Sequence, residues 1–160
     1  MKGFTLIETL IYSAIMVIVL GGIFMTFYSI MTTSDSLRYQ IELIENAKFL
    51  EQKFKWALTG AEGINIPAIS SASSPILSIN KPGVANPLII DLDGGIVRIA
   101  SGNESPIPLT NNFVIVSTIS FENFSLSSDT QNTIRIRAEL ENLYKIAPAT
   151  TSLDLFISIQ

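Results

Sequence analysis

The sequence predicts an α+β chain: one long amino-terminal helix, apolar in its first half and amphipathic in its second, packed on a mainly antiparallel β-sheet head. Three observations predict it. Residues 9–34 form 26 consecutive positions without a formal charge. The first proline is Pro67, so no proline stops a helix before it. Beyond residue 75 the apolar pattern has changed from steps of three and four to steps of two, the change from helix to half-buried strand.

The uncharged run is dominated by Leu10, Ile11, Ile15, Met16, Val17, Ile18, Val19, Leu20, Ile23, Phe24, Met25, Phe27 and Ile30. At about 1.5 Å per residue it reaches roughly 39 Å, against a hydrocarbon core of about 30 Å, so it is long enough to cross a bilayer with some tilt. That length suits neither a buried core helix nor a cleaved secretory signal, and no small-residue cleavage site follows the run before Asp35. Gly21-Gly22 interrupts it. Two glycines cost about 2 kcal/mol of helix propensity relative to alanine, so the helix is expected to bend or loosen there, or to approach another helix closely through these small residues.

Helical periodicity continues past the apolar run. Leu37, Ile41, Ile44, Ala47, Leu50, Phe54 and Ala57 recur at steps of three and four and mark one core-facing stripe. Arg38, Glu42, Glu45, Lys48, Glu51 and Lys55 lie largely off it, with Glu51 and Lys55 spaced as an i,i+4 pair. One helix is expected over residues 4–58, closed by Gly60 and roughly 80 Å long at about 1.5 Å per residue.

The head begins with a stretch rich in Ser, Ala, Pro and Ile over residues 61–75, including Ser70-Ser71-Ala72-Ser73-Ser74, which reads as a connecting loop. Strands are expected over 75–80, 88–92, 96–100 and 113–121, the last continuing or bending into 121–126. Asp93-Gly94-Gly95 between the second and third is a hairpin signal, because a two-residue turn needs positive φ. Ile134, Ile136, Ala138 and Leu140 alternate with Arg135, Arg137, Glu139 and Glu141, and Leu153, Leu155, Ile157 and Ile159 with Asp154, Phe156, Ser158 and Gln160. Each strand thus has one apolar and one largely polar face. With short connections and no second helical pattern, the sheet is expected to be antiparallel with one face under the helix stripe.

Composition excludes several function classes. The chain of 160 residues has no Cys and no His, which removes disulfides, thiolate chemistry, the usual zinc sites and any imidazole base. Lys and Arg total 10 against 14 for Asp and Glu, a net charge of -4, so no extended basic surface for nucleic acid is expected. Charged residues are only 15%, well under the usual quarter of a soluble domain, and mean hydropathy is +0.42. The excess is concentrated in the amino-terminal third.

One ionisable residue opens the apolar helix. Glu8 is four residues after Phe4, and a carboxylate at the edge of a hydrocarbon layer needs a partner. Met1-Lys2-Gly3-Phe4-Thr5-Leu6-Ile7-Glu8 closely resembles the prepilin cleavage and methylation motif of type IV pilins and type II secretion pseudopilins. The resemblance is close over roughly the first thirty residues and extends loosely to the whole chain through the family's plan of a long helix and a β-rich head. It implies that a prepilin peptidase cuts between Gly3 and Phe4, that Phe4 becomes the N-methylated terminus, and that Glu8, then the fifth residue, acts in assembly. An amine on Phe4 of one subunit beside Glu8 of a neighbour neutralises a carboxylate otherwise stranded in a low-dielectric bundle. Pilins commonly close a carboxy-terminal loop with a disulfide, and this chain, lacking Cys, departs from that pattern.

The resemblance implies a leader at 1–3, a transmembrane and filament-core half-helix at 4–31, an amphipathic half at 32–60 and an extracytoplasmic head at 61–160. It implies a structural minor pilin or pseudopilin of a type IV pilus, competence pilus or type II secretion pseudopilus, not an enzyme, with no cofactor. The implied partners are other pilin or pseudopilin subunits, the prepilin peptidase, the assembly platform of the bacterial cytoplasmic membrane, and membrane lipid before assembly. Lys2 and the initial amine form the positive flank that keeps the amino end cytoplasmic and the head outside. The alternative is an anchored, non-polymerising binding domain, and an anchored hydrolase using only carboxylates has the least support.

Other motifs read as structure. Asp91-Leu92-Asp93-Gly94-Gly95 resembles the start of a calcium loop but lacks its later acidic ligands, so the hairpin turn is preferred and no metal is assigned. Arg135 and Arg137 share a strand face with Glu139 and Glu141, a pattern expected to form cross-strand ion pairs. Asn103-Glu104-Ser105 and Asn123-Phe124-Ser125 match the glycosylation tripeptide only weakly. The acid pairs Asp91 with Asp93 and Glu139 with Glu141 lack any converging catalytic partner.

Overall fold

A computed structural model of the chain describes residues 5–68, 73–124, 132–143 and 148–159. It has one helix, α1 (Leu6–Leu58), followed by β1 (Gly63–Ile66), β2 (Leu77–Asn80), β3 (Leu88–Asp93), β4 (Ile96–Ser101), β5 (Ile107–Pro108), β6 (Val114–Asn123), β7 (Asn132–Asn142) and β8 (Thr150–Ile159). The chain divides into two compact units, Met1–Arg38 and Tyr39–Gln160.

In the first unit α1 is unbroken through Gly21 and Gly22, where an added Cβ would meet nothing within 4 Å. The glycines do not loosen the helix. Its apolar residues from Leu6 to Met31 are all exposed, and the helix is long and apolar enough to cross a membrane. Thr26 Oγ1 donates to Gly22 O at 2.9 Å and Thr32 Oγ1 to Tyr28 O at 3.2 Å, so hydroxyls here are satisfied by their own helix. That is what a polar group requires where no water reaches it.

In the second unit Leu43, Leu50, Phe54, Ala57 and Leu58 of α1 are buried in one core with residues of both sheets. The expected stripe holds from Ala47 onward, but Ile41 and Ile44 are exposed, and Leu43 and Asn46 face inward instead. A polar network fixes this change of face. Asn46 Nδ2 donates to Glu42 O at 2.8 Å, Asn46 Oδ1 accepts from Asn111 N at 3.2 Å, and Asn111 Nδ2 donates to Glu42 Oε2 at 3.0 Å. Gly60, at φ 71, ends the helix as expected, and Lys81 Nζ donates to the last-turn carbonyls of Trp56, at 2.8 Å, and Thr59.

The strands form two antiparallel sheets rather than the single one expected: β1-β2-β3-β4-β5 and β6-β7-β8. β1 lies in the stretch read as a loop, and β5 had no expected counterpart. Both are short and largely exposed, so neither has the alternation that identifies a strand. Residues 69–72, within the serine-rich stretch, lie outside the described residues, while Ser74 forms an isolated bridge to Phe121. The expected 121–126 continuation runs in line as far as Asn123.

The β3–β4 hairpin is as read, with Asp93 opposite Ile96 and positive φ at Gly94 (58) and Gly95 (82). A Cβ at Gly95 would lie 3.0 Å from Ile115 Cγ2. Gly95→Ala is therefore expected to cost about 1–2 kcal/mol through left-handed strain and this contact, while Gly94→Asn stays near wild type. Thermal unfolding of the two variants checks it; equal midpoints would contradict the assigned turn.

Candidate functional site

Glu8 lies in the first turn of α1 and is half-exposed. Thr5 O accepts from Glu8 N at 3.1 Å and from Thr9 N at 3.2 Å, which starts the helix at this threonine. Thr5 and Glu8 thus have the spacing of a capping box, and a carboxylate in the first turn faces the positive end of the helix dipole. Sequence reading missed this local role, although Thr-x-x-Glu carries its signal. Gly3 and Phe4, the expected cleavage pair, lie outside the described residues. Among the described residues Glu8 has no ion pair, and its helical neighbours Ile7, Leu10 and Ile11 are exposed and apolar. A charge on such a surface can be neutralised by a cation brought from outside the chain.

The three arginines of the head, Arg98, Arg135 and Arg137, each pair with a carboxylate. Arg98 takes both carboxylates of the former calcium-like stretch: Nε and Nη2 donate to Asp91 at 3.1 and 2.7 Å, and Nη1 donates to Asp93 at 2.5 Å. Asp91's hydrogen bonds raise the Arg98 pKa above its ordinary value. Among the described residues no group of three or more His, Cys, Asp or Glu could hold a metal.

Cross-strand pairs form on the outer face of the β6-β7-β8 sheet. Arg135 donates to both oxygens of Asp154 at 2.9 and 2.6 Å and packs 4.9 Å from the Phe156 ring centroid. Arg137 reaches Glu122 at 3.3 Å. The Arg135 hydrogen bonds hold the Asp154 carboxyl below its usual range. This contribution is present above the ordinary carboxylate pKa and is lost as pH falls through the lowered one. Glu139 and Glu141 have no ion pair among the described residues. Asn123 is 5% exposed and donates to Pro67 O at 3.2 Å, so its side chain is held within the fold, whereas Asn103 is exposed in the turn after β4.

The prokaryotic N-terminal methylation motif family matches residues 1–24, the signature of type IV pilins and pseudopilins. No curated protein and no solved structure matches the chain. The matched segment contains Gly3, Phe4 and Glu8 and opens the apolar helix, which fits membrane anchoring and processing by a prepilin peptidase. The motif belongs to structural subunits, not enzymes, and implies other pilin subunits as partners.

Proposed function

We propose that the chain is a minor pilin or pseudopilin, cut between Gly3 and Phe4, methylated on Phe4 and assembled through Glu8 into a type IV pilus, competence pilus or type II secretion pseudopilus. Residues 4–31 anchor it in the cytoplasmic membrane and then join the filament core, 32–60 continue the helix, and 61–160 form the outer head. The observation that carries this reading is a methylation motif opening a helix whose apolar side chains from Leu6 to Met31 are all exposed. In lipid that surface is solvated by acyl chains; on leaving the membrane it needs other helices, and extraction by an assembly platform supplies them. Lys2 at the amino end supports a cytoplasmic amino terminus.

Intact mass of the full chain, co-expressed with an active prepilin peptidase, tests the reading. Loss of residues 1–3 with the gain of one methyl group is expected, and Gly3→Val should block the cut. An uncut wild-type chain beside a cut control would leave an anchored binding domain as the better description. Efficient cleavage of Gly3→Val would displace the assigned site.

A further inference from the structure

A sheet edge left open invites another strand, and three of the four edges here are blunted. β1 has four residues, an irregular register between Ile64 and Ile66, and Pro67 after it. β5 has two residues, the second being Pro108. β6 is covered: Val116 N donates to Gly95 O at 2.9 Å, and Phe121 exchanges both backbone bonds with Ser74 at 2.8 and 2.9 Å. β8 is different. It ends its sheet, runs ten residues, and contains no Pro, Gly, Lys or Arg and no bulge. Proline, bulges and added charge are devices by which proteins protect an edge, and the one charge of β8, Asp154, is tied to Arg135 of β7.

The register shows which groups point outward. Asn142 N donates to Ala149 O at 3.1 Å, and antiparallel ladders alternate, so odd-numbered residues of β8 bond β7. The N–H and C=O of Ser152, Asp154, Phe156 and Ser158 point away from it. Side chains along this edge are arranged in two parts. At one end Phe156, 62% exposed, touches Phe124, 53% exposed, at a centroid distance of 6.4 Å. At the other, Glu139, Glu141, Thr150, Thr151 and Ser152 line a notch whose carboxylates have no cation among the described residues.

We infer that β8 accepts, by strand addition, an extended segment of a different polypeptide with a basic side chain against Glu139 and Glu141 and, four residues away on the same face, an apolar one against Phe156. Glu139 is opposite Ser152 and Arg135 opposite Phe156, which fixes this spacing. Backbone bonds would hold the segment and these two positions would select it. A second copy does not fit. Antiparallel β8-to-β8 pairing brings no Lys or Arg to Glu139 and Glu141, because β8 contains neither, and it sets like carboxylates near one another. Parallel pairing of the same edges turns one apolar face to water, and a head-to-tail contact would use β1 or β5, both blunted.

The test uses the full chain in detergent micelles and a synthetic nine-residue peptide of alternating valine and threonine, with one lysine and, four residues on, one leucine in threonine positions. Hydrogen exchange at Ser152, Asp154, Phe156 and Ser158 should be fast without peptide and slow at least tenfold with it. Replacing the peptide's lysine by glutamate, or making Glu139→Gln with Glu141→Gln in the protein, should weaken binding about fivefold at low salt. Ser152→Pro removes an outward N–H without a β7–β8 bond and should abolish protection; Phe156→Lys, which keeps every N–H, should weaken it by a similar factor should the proline variant unfold. Outward amides already protected in the dilute free chain, concentration-dependent protection without peptide, or equal binding of both peptides would overturn the inference. None of these readouts involves residues 1–8, so a failure of processing leaves the result interpretable.

Discussion

Glu8→Ala should leave cleavage and methylation intact and cut incorporation into filaments at least tenfold. The proposed cut after Gly3 lies four residues upstream of Glu8, and alanine keeps the helix start at Thr5. In the proposed move from lipid to a helix bundle, Glu8 is the only formally charged side chain between Lys2 and Asp35, so it would discriminate most strongly between axial registers. An unpaired ion costs up to about 3 kcal/mol at the centre of a bilayer and less toward its edge, and a pairing cation offsets that cost only at the matching register. Without Glu8 the apolar surfaces still adhere, but over several registers, and a tenfold loss corresponds to about 1.4 kcal/mol. Glu8→Gln separates charge from shape: it retains the size and a hydrogen bond but should fall near the alanine level. Normal recovery of Glu8→Ala in sheared, purified filaments would defeat the pairing argument, and normal recovery of Glu8→Gln would replace it with a neutral hydrogen bond.

How much of this was legible varies along the chain with the strength of the local pattern. The long helix was readable because 26 uncharged residues and the absence of proline leave little alternative, and its end was readable at Gly60. β7 and β8 were readable because Ile134, Ile136, Ala138 and Leu140 alternate with charges, and burial follows that alternation. β1 and β5 were not, since four and two residues at half-exposed edges carry no period. The exchange of Ile44 for Leu43 and Asn46 on the packed face was also hidden. It is set by Asn111, 65 residues away from Asn46, and no window along the helix contains that partner.

The candidate site divides in the same way. Glu8 was legible because one acid in an apolar helix stands out against its neighbours. Its first-turn position depends on where the helix begins, which the structure places at Leu6. In the head, the Asp91 and Asp93 carboxylates were identified, but the guanidinium between them comes from Arg98 on the next strand. The open edge of β8 could not be read at all. An edge is a property of strand order, and strand order is settled by pairings between distant residues.

Phe54→Ala should be the most destabilising single change in the head. Phe54 is completely buried and meets Phe121 edge-on, with centroids 5.9 Å apart and planes at 82°. It is the largest side chain that α1 contributes to the core, and Leu50, Ala57 and Leu58 around it are equally inaccessible, so the structure cannot close over the gap without moving the helix. Truncating a buried phenylalanine costs about 3–5 kcal/mol from lost transfer free energy and the cavity left behind. The aromatic pair is part of that loss. Against a typical stability of about 5–15 kcal/mol, this removes a large fraction, and the midpoint of thermal unfolding should fall by roughly 10–20 °C. Phe156→Ala is the control: the ring is exposed on the outer face of β8, and its loss should stay within about 0.5 kcal/mol, so the two variants differ by burial rather than by chemistry. Near-ultraviolet circular dichroism of the full chain in detergent reads both, because it follows aromatic packing and not the helical signal of the anchor. Equal midpoints for the two variants would mean that α1 is not docked on the sheets through Phe54, and the α+β core would then have to be rebuilt around a different helix face.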